Sequence, residues 1–202
     1  MMHVIEQLVH YLERRELLNR KGFLTKLLGI MHMPFTPFHL GPALLLGLIF
    51  FSYVDFPTFL IANMIIDIEP FVVLTMNLGY PLHGILHSFM GGTLTGFLLA
   101  MMMKKVRGFL TPVLRFFKLE QKVSLEHILL ASFSGIYLHI ILDSPLYSEM
   151  RPFFPLDINP LLSTNATATL GIYTLCTILF IAGIALYMAK PIHEQESGKT
   201  LA

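Results

Sequence analysis

The stretch FPTFLIANMIIDIEPFVVLTMNL, residues 56–78, decides the fold of this chain. It meets the roughly 20 apolar residues that a helix needs to cross a bilayer core. Asp67 and Glu69 interrupt it near its middle, and Pro70 follows them directly. A charged side chain at the centre of a spanning helix costs roughly 2.5–3.5 kcal/mol on insertion scales, so the two carboxylates require a partner or a ligand. Pro70 disfavours regular helix and predicts a kink beside Asp67.

The whole chain has the composition of a membrane protein. Its 202 residues are 54% hydrophobic and only 13% charged, and the mean hydropathy is +0.67, which is outside the usual range of a water-soluble domain. Apolar stretches at residues 38–53, 56–78, 83–103, 126–142 and 168–189 predict about five spanning helices. We therefore predict an all-α polytopic membrane helix bundle in residues 33–189, followed by a polar tail at 190–202.

Charge sets the predicted topology and excludes one class of partner. Basic residues collect in the loop at 104–125, which predicts that this loop faces the cytoplasm. The formal net charge is only +1 and no basic stripe with interleaved aromatic residues is present, so a nucleic-acid partner is not expected. The single cysteine, Cys176, allows neither an intramolecular disulfide nor a thiolate zinc site.

The polar side chains of the apolar stretches are predicted to gather at one end of the bundle. Following the chain up and down from the basic loop places all of them in the outer leaflet. These residues are His39, Asp67, Glu69, His83, His87, His139 and Asp143. Structural polar groups without a common role would be scattered over both depths, so the agreement indicates a site.

The residue types and their spacing indicate a divalent metal. His83 and His87 are four residues apart, as are His139 and Asp143, which predicts two pairs that each share a helix face. Imidazoles and carboxylates without basic neighbours are metal ligands, with zinc expected ahead of manganese. The predicted ligands are His39, Asp67, His83, His87, His139 and Asp143. The alternative is a hydrogen-bonded network that only fixes helix packing.

Four short motifs together resemble a known family. They are MPFTPFH at 33–39, DIEP at 67–70, HGILHS at 83–88 and HIILD at 139–143. The chain is similar over 33–189 to the predicted membrane-bound metal-dependent hydrolases, which include LexA-regulated bacterial inner-membrane proteins. The resemblance implies a metal-dependent hydrolase in the prokaryotic cytoplasmic membrane. It also implies an aspartate pair two residues apart, and here the second position is Glu69.

The expected reaction is metal-assisted hydrolysis. A divalent cation lowers the pKa of bound water from 15.7 toward about 7 and polarises the bond under attack. Glu69 and Asp67 are the predicted catalytic residues, with Glu69 as general base. A site that opens at the membrane surface suits a lipid or another phosphoester, so membrane lipids are the expected partners.

Two other functions use the same residues. A transporter or a proton or cation relay would bind a passing ion at the cluster, and it would need polar groups that continue to the far leaflet. A structural membrane protein would use the metal only to hold helices together. The inner halves of the predicted helices offer almost no polar groups, which favours a blind pocket.

Residues 1–32 lie before the motifs. Hydrophobic residues alternate there with charged ones, which predicts an N-terminal amphipathic helix at the membrane interface. The alternative is a misassigned start, with Met33 as the true first residue.

Overall fold

The computed structural model describes residues 37–189, and within this range the chain is helical and has no strand. The α-helices are α1 (Leu40–Ile49), α2 (Phe56–Ile65), α3 (Ile68–Thr75), α4 (Phe89–Phe116), α5 (Leu125–Asp143) and α6 (Ala166–Ala189). Short 3-10 turns at Pro37–His39 and Ile85–His87 precede α1 and α4. The predicted N-terminal amphipathic helix at 1–32 and the polar tail at 190–202 lie outside the described residues.

Within residues 37–189, three helical segments are long and apolar enough to cross a membrane. They are Phe56–Thr75, Leu125–Asp143 and Thr167–Ala189. Helix α1 has only 10 residues, and α4 is longer but carries Lys104, Lys105 and Arg107. The predicted helical character is confirmed for the described residues, whereas the number of five spanning helices stays a prediction.

The predicted kink beside Asp67 is present as a break between α2 and α3. Helix α2 ends at Ile65 and α3 begins at Ile68, so Asp67 lies between the two helices. Pro70 explains the break, because proline has no N–H to donate to the carbonyl of Ile66 and its ring clashes with that carbonyl. The Ile66 carbonyl accepts instead from the Glu69 N–H, at 3.0 Å.

The third helix begins later than predicted. Residues 83–88 precede α4, which starts at Phe89 and continues beyond Met103 to Phe116. The prediction that His83 and His87 share a helix face is therefore wrong. Ser88 has extended backbone and its Oγ accepts the Gly91 N–H at 3.0 Å, which is an N-cap that starts the helix one residue later.

Helices α2 and α5 form the centre of the bundle, with α1 packed on α2 and α4 packed on α5. Buried residues from α2, α4 and α5, including Ala62, Met103 and Ile136, form the main core. Gly135 allows close approach, because a Cβ at this position would lie 2.6 Å from the Cβ of Ala62. This close packing brings the C-terminal half of α2 next to the last turns of α5.

A buried polar group occupies the other end of these helices, where the sequence predicted almost none. Asp55 Oδ1 accepts from Arg107 Nε at 2.7 Å, and Asp55 Oδ2 accepts from the Thr58 hydroxyl at 2.5 Å. Gln121 adds hydrogen bonds to the backbone of the turn before α2, donating to the Val54 carbonyl at 2.9 Å. We call Asp55, Thr58, Arg107 and Gln121 the Asp55 cluster.

Candidate metal centre

Four of the predicted ligands meet in one buried group. Asp67, His87, His139 and Asp143 each offer one ligand atom, and these atoms all lie within 4.8 Å of one another. We call these four residues the tetrad. Asp67 comes from the break between α2 and α3, His87 ends the 3-10 turn before α4, and the other two lie in the last turns of α5. The break between α2 and α3 therefore positions Asp67, and the late start of α4 positions His87.

The two imidazoles of the tetrad are each held from behind. His87 Nδ1 lies 2.9 Å from Glu69 Oε2, and His139 Nδ1 lies 2.7 Å from the backbone carbonyl oxygen of Asn63. A carbonyl or ionised carboxylate oxygen only accepts, so these contacts assign the hydrogen to Nδ1 in both rings. Nε2 of each neutral ring then carries a lone pair directed to the centre. Histidine ligands of metal ions commonly have this arrangement.

The centre of the tetrad brings lone pairs together. His139 Nε2 lies 3.0 Å from Asp143 Oδ2 and 3.3 Å from Asp67 Oδ1, and His87 Nε2 lies 3.8 Å from the same Asp67 oxygen. Both Nε2 atoms are buried and have no hydrogen-bond partner among the described residues. Unprotonated nitrogens facing carboxylate oxygens repel one another, so the arrangement requires a cation at its centre, either a metal ion or added protons.

His39 lies against the tetrad without belonging to it. Its Nε2 is 2.9 Å from Asp143 Oδ1, and its ring centroid is 4.0 Å from that of His139. Its Nδ1 is buried and has no hydrogen-bond partner among the described residues. His39 therefore offers one further nitrogen beside the four ligand atoms.

Glu69 lies behind His87, on the side away from the other tetrad residues. Besides His87 Nδ1, its carboxylate accepts the backbone N–H of Gly84 at 3.1 Å and that of Leu86 at 3.2 Å. Both carboxylate oxygens are thus occupied by donors of the segment before α4. These contacts suit a residue that positions His87, and the role of general base stays a prediction.

His83 is outside the tetrad and joins two loops. Its Nδ1 lies 2.9 Å from Glu149 Oε1, and its ring stacks on Tyr147 with centroids 3.7 Å apart. The hydrogen bond from His83 lowers the pKa of Glu149 below its ordinary value, and burial raises the pKa of Tyr147. His83 therefore ties the segment after α5 to the segment before α4, close to the site.

Three residues that support the site were not singled out from the sequence. Asn63 supplies the carbonyl that orients His139, and Tyr147 and Glu149 are the partners of His83. Asn63 could have been found, because it lies four residues before Asp67 on the same face of an apolar helix. The two loop residues lie more than 60 positions from His83, and no local pattern connects them.

The tetrad could hold one divalent cation through two imidazole nitrogens and two carboxylate oxygens. Four such donors are typical of tetrahedral zinc, and the same donor types also bind manganese. The fold and the site together define a class of protein. Its members are helical, have segments that can cross a membrane, and bury a tetrad of imidazoles and carboxylates. Compared with known proteins, the chain matches no family model, no curated protein and no solved structure.

Proposed function

We propose that this protein is an integral membrane metal-dependent hydrolase of the prokaryotic cytoplasmic membrane. One observation carries the proposal: the Nε2 atoms of His87 and His139 are buried, lack a hydrogen-bond partner among the described residues, and face the carboxylates of Asp67 and Asp143. A divalent cation, zinc ahead of manganese, would convert four mutually repelling donors into ligands.

The apolar exterior supports membrane insertion. Many large hydrophobic side chains are exposed on α4 and α6, for example Leu94, Leu98, Leu170 and Ile181 at 63%, 59%, 65% and 63% exposure. Continuous apolar surface of this kind is costly in water and ordinary in lipid. The polar tetrad is then excluded from lipid by burial within the bundle.

The surplus of donors favours a reactive site over a purely structural one. A structural zinc site uses all its ligand positions, whereas a catalytic site keeps one open. His39 adds a further imidazole in contact with the tetrad, since its Nε2 lies 2.9 Å from Asp143 Oδ1. The four motifs that resemble the metal-dependent hydrolase family contain His39 and every residue of the tetrad.

The residues of the chain can be assigned separate roles. When bound, the cation would supply an activated water and polarise the bond under attack. Glu69 and Asn63 hold the two imidazoles in place, and the buried carboxylates of Asp67 and Asp143 balance the positive charge. Asp67 is the remaining carboxylate for proton transfer, because both oxygens of Glu69 already accept from the 84–87 segment. The substrate that best suits such a site is a lipid phosphoester.

Metal analysis is the first test. Elemental analysis of detergent-purified protein should find one zinc or manganese per chain, and the double variant His87→Ala/His139→Ala should contain none. His127→Gln is the matched control, since His127 lies on α5 about 18 Å from His139 by helix rise and bonds to Ser124. Absence of metal after reconstitution with each ion would refute the hydrolase and leave protons as the cation, as in a proton relay.

Activity is the second test. Metal-loaded protein in vesicles should release a water-soluble head group from a phospholipid, and chelation should stop the release. Readdition of the metal should restore activity to the wild type and to His127→Gln, but not to Asp67→Asn. Stoichiometric metal without hydrolysis of any lipid phosphoester would leave the metal with a structural role.

A further inference from the structure

The tetrad has almost no exposed surface. Its four residues are at most 3% exposed, so an ion or a water molecule reaches them only when part of the surrounding wall opens. Between α2 and α5 this wall is packed backbone, since a Cβ at Gly135 would lie 2.6 Å from the Cβ of Ala62. On the α1 side, His39 is 4% exposed and contacts Asp143 at 2.9 Å. An opening at the first of these places would have to separate helices.

A chain of polar contacts runs from the tetrad to the surface on the remaining side. His87 meets the ring of His83 edge-on, with centroids 4.8 Å apart, and His83 Nδ1 lies 2.9 Å from Glu149 Oε1. Exposure rises along this chain, from 0% at His87 and 4% at His83 to 36% for the Glu149 side chain. Glu69, the other carboxylate that contacts His87 Nδ1, has a side chain only 9% exposed. A polar route into the tetrad therefore begins at Glu149 and passes His83.

Tyr147 closes this route from the side. Its ring stacks on His83, with centroids 3.7 Å apart and planes at 22°. The segment that carries Tyr147 and Glu149 is anchored at both ends, because Ser144 is 0% and Met150 is 1% exposed. Opening the route thus requires only rotation of the side chains at positions 83, 147 and 149. Rotation of partly exposed side chains is among the fastest motions of a protein, whereas separation of helices is slow.

The polar character of the route suits an ion. Transfer of a charged group into apolar surroundings is costly unless polar partners replace its water. The imidazole and the carboxylate of the route offer lone pairs, and the carboxylate lies at the exposed end. The packed helices beside the tetrad offer buried apolar side chains instead, among them Ala62, Ile136 and Ile140. A cation therefore meets the lowest barrier along His83 and Glu149.

We propose that the side chains of His83, Tyr147 and Glu149 form a gate through which a divalent cation, with water, enters and leaves the tetrad. The inference rests on the proposed function, because it assigns the entrance of the metal site. In the closed gate, one hydrogen bond and one ring contact hold His83. Loss of either contact raises the open fraction of the gate, and the rates of metal uptake and release both scale with that fraction. The affinity, which is the ratio of the two rates, stays the same.

Metal exchange kinetics test the gate. Zinc uptake by metal-free protein and zinc release to excess chelator are followed by stopped-flow absorbance on detergent-purified protein. Glu149→Ala removes the hydrogen bond and Tyr147→Ala the stacked ring, and each should raise both rates roughly fivefold. His83→Ala removes both contacts and should raise both rates by up to roughly thirtyfold. Asp157→Asn is the matched control, because it breaks an exposed ion pair with Arg151 in the same loop and should leave both rates unchanged.

Chemical modification tests the gate without any metal. Diethyl pyrocarbonate acylates an unprotonated imidazole nitrogen, and the Nε2 of His139 is buried behind the gate. In metal-free protein, the rate of His139 modification, mapped by mass spectrometry, should rise by the same factors in the same three variants. His127 is the internal reference, since it lies at the other end of α5 and is partly exposed. It should react at the same rate in every variant.

Unchanged or slower metal exchange in all three variants, with unchanged modification of His139, would overturn the proposal and place the entrance elsewhere. Faster release without faster uptake would also overturn it, because the three side chains would then stabilise the bound ion instead of controlling its passage. Failure of the proposed function is a separate result. Wild-type protein that contains no metal after reconstitution would refute the hydrolase, while the modification rates of His139 would still decide whether these side chains control access to the tetrad.

Discussion

The two ends of the helix bundle both bury charged side chains, but they satisfy them in opposite ways. In the Asp55 cluster, a carboxylate meets a guanidinium and a hydroxyl as hydrogen-bond donors. In the tetrad, carboxylates face the Nε2 atoms of two imidazoles across 3.0–3.8 Å, and both Nε2 atoms lack a hydrogen-bond partner among the described residues. In the Asp55 cluster the unpartnered buried atom is a donor, Arg107 Nη2, beside an ion pair that is already formed, whereas in the tetrad the unpartnered atoms His87 Nε2, His139 Nε2 and Asp143 Oδ1 can all serve as metal ligands. The second pattern indicates a ligand.

The comparison predicts that the largest effect on stability comes from the Asp55 cluster. Asp55→Leu leaves the guanidinium of Arg107 buried and unpaired, and removal of one partner of a buried pair costs about 3–5 kcal/mol. The free energy of unfolding, measured by detergent denaturation in mixed micelles, should fall by this amount. The double variant Asp55→Leu/Arg107→Met should recover most of the loss, because apolar residues can replace a buried ion pair.

Metal content provides the control for this prediction. The folded fraction of Asp55→Leu should retain the metal stoichiometry of the wild type, since the whole length of α2 separates Asp55, which precedes it, from Asp67, which follows it. Loss of metal from that folded fraction would show that the two ends act as one network. Such a result would also support the transporter interpretation, which requires polar groups that continue from one leaflet to the other.

Metal binding should have the next largest effect, and only at the tetrad. A ligand present at 100 times its dissociation constant stabilises the folded state by about 2.7 kcal/mol. Zinc or manganese at this level should stabilise the wild type and Asp55→Leu equally and leave His139→Ala unchanged. A thermal melt with and without chelator measures the difference. Equal stabilisation of His139→Ala would place the ion at another site.

The convergence of the polar residues could be predicted from the sequence, because helix direction and apolar length place them at one end. The predicted positions of His39, Asp67, His139 and Asp143 needed only the order of the helices. The start of α4 could not be placed by hydropathy, since the Ser88 cap and the preceding turn lie within a continuous apolar stretch. The Asp55–Arg107 pair was also missed, because its members are 52 residues apart and neither sits in a motif.

Substitution of Glu69 should have an intermediate effect, and the quantity that it lowers is the metal affinity. Loss of an outer partner of a ligating histidine typically lowers metal affinity by 10–100-fold. Glu69→Gln should show this loss in a competition titration with a zinc chelator, because a neutral amide holds His87 Nδ1 and two backbone N–H groups less firmly. Glu120→Gln is the control, as Glu120 pairs with Arg115 on the exposed surface. Unchanged affinity combined with lost hydrolysis would instead favour Glu69 as the general base.

The smallest effect on metal content is expected at His83, where the sequence and the structure disagree most clearly. The sequence predicts a ligand from the four-residue spacing to His87, whereas the structure pairs His83 with Glu149 and Tyr147. His83→Ala should therefore keep one metal per chain and lose only the contribution of a hydrogen bond and a ring contact, about 1–2 kcal/mol. Glu149→Gln should reproduce part of the same loss, because the amide keeps one acceptor. Metal loss in His83→Ala, with metal retained in Glu149→Gln, would restore His83 to the ligand set and show that its ring turns toward the tetrad when the ion is bound.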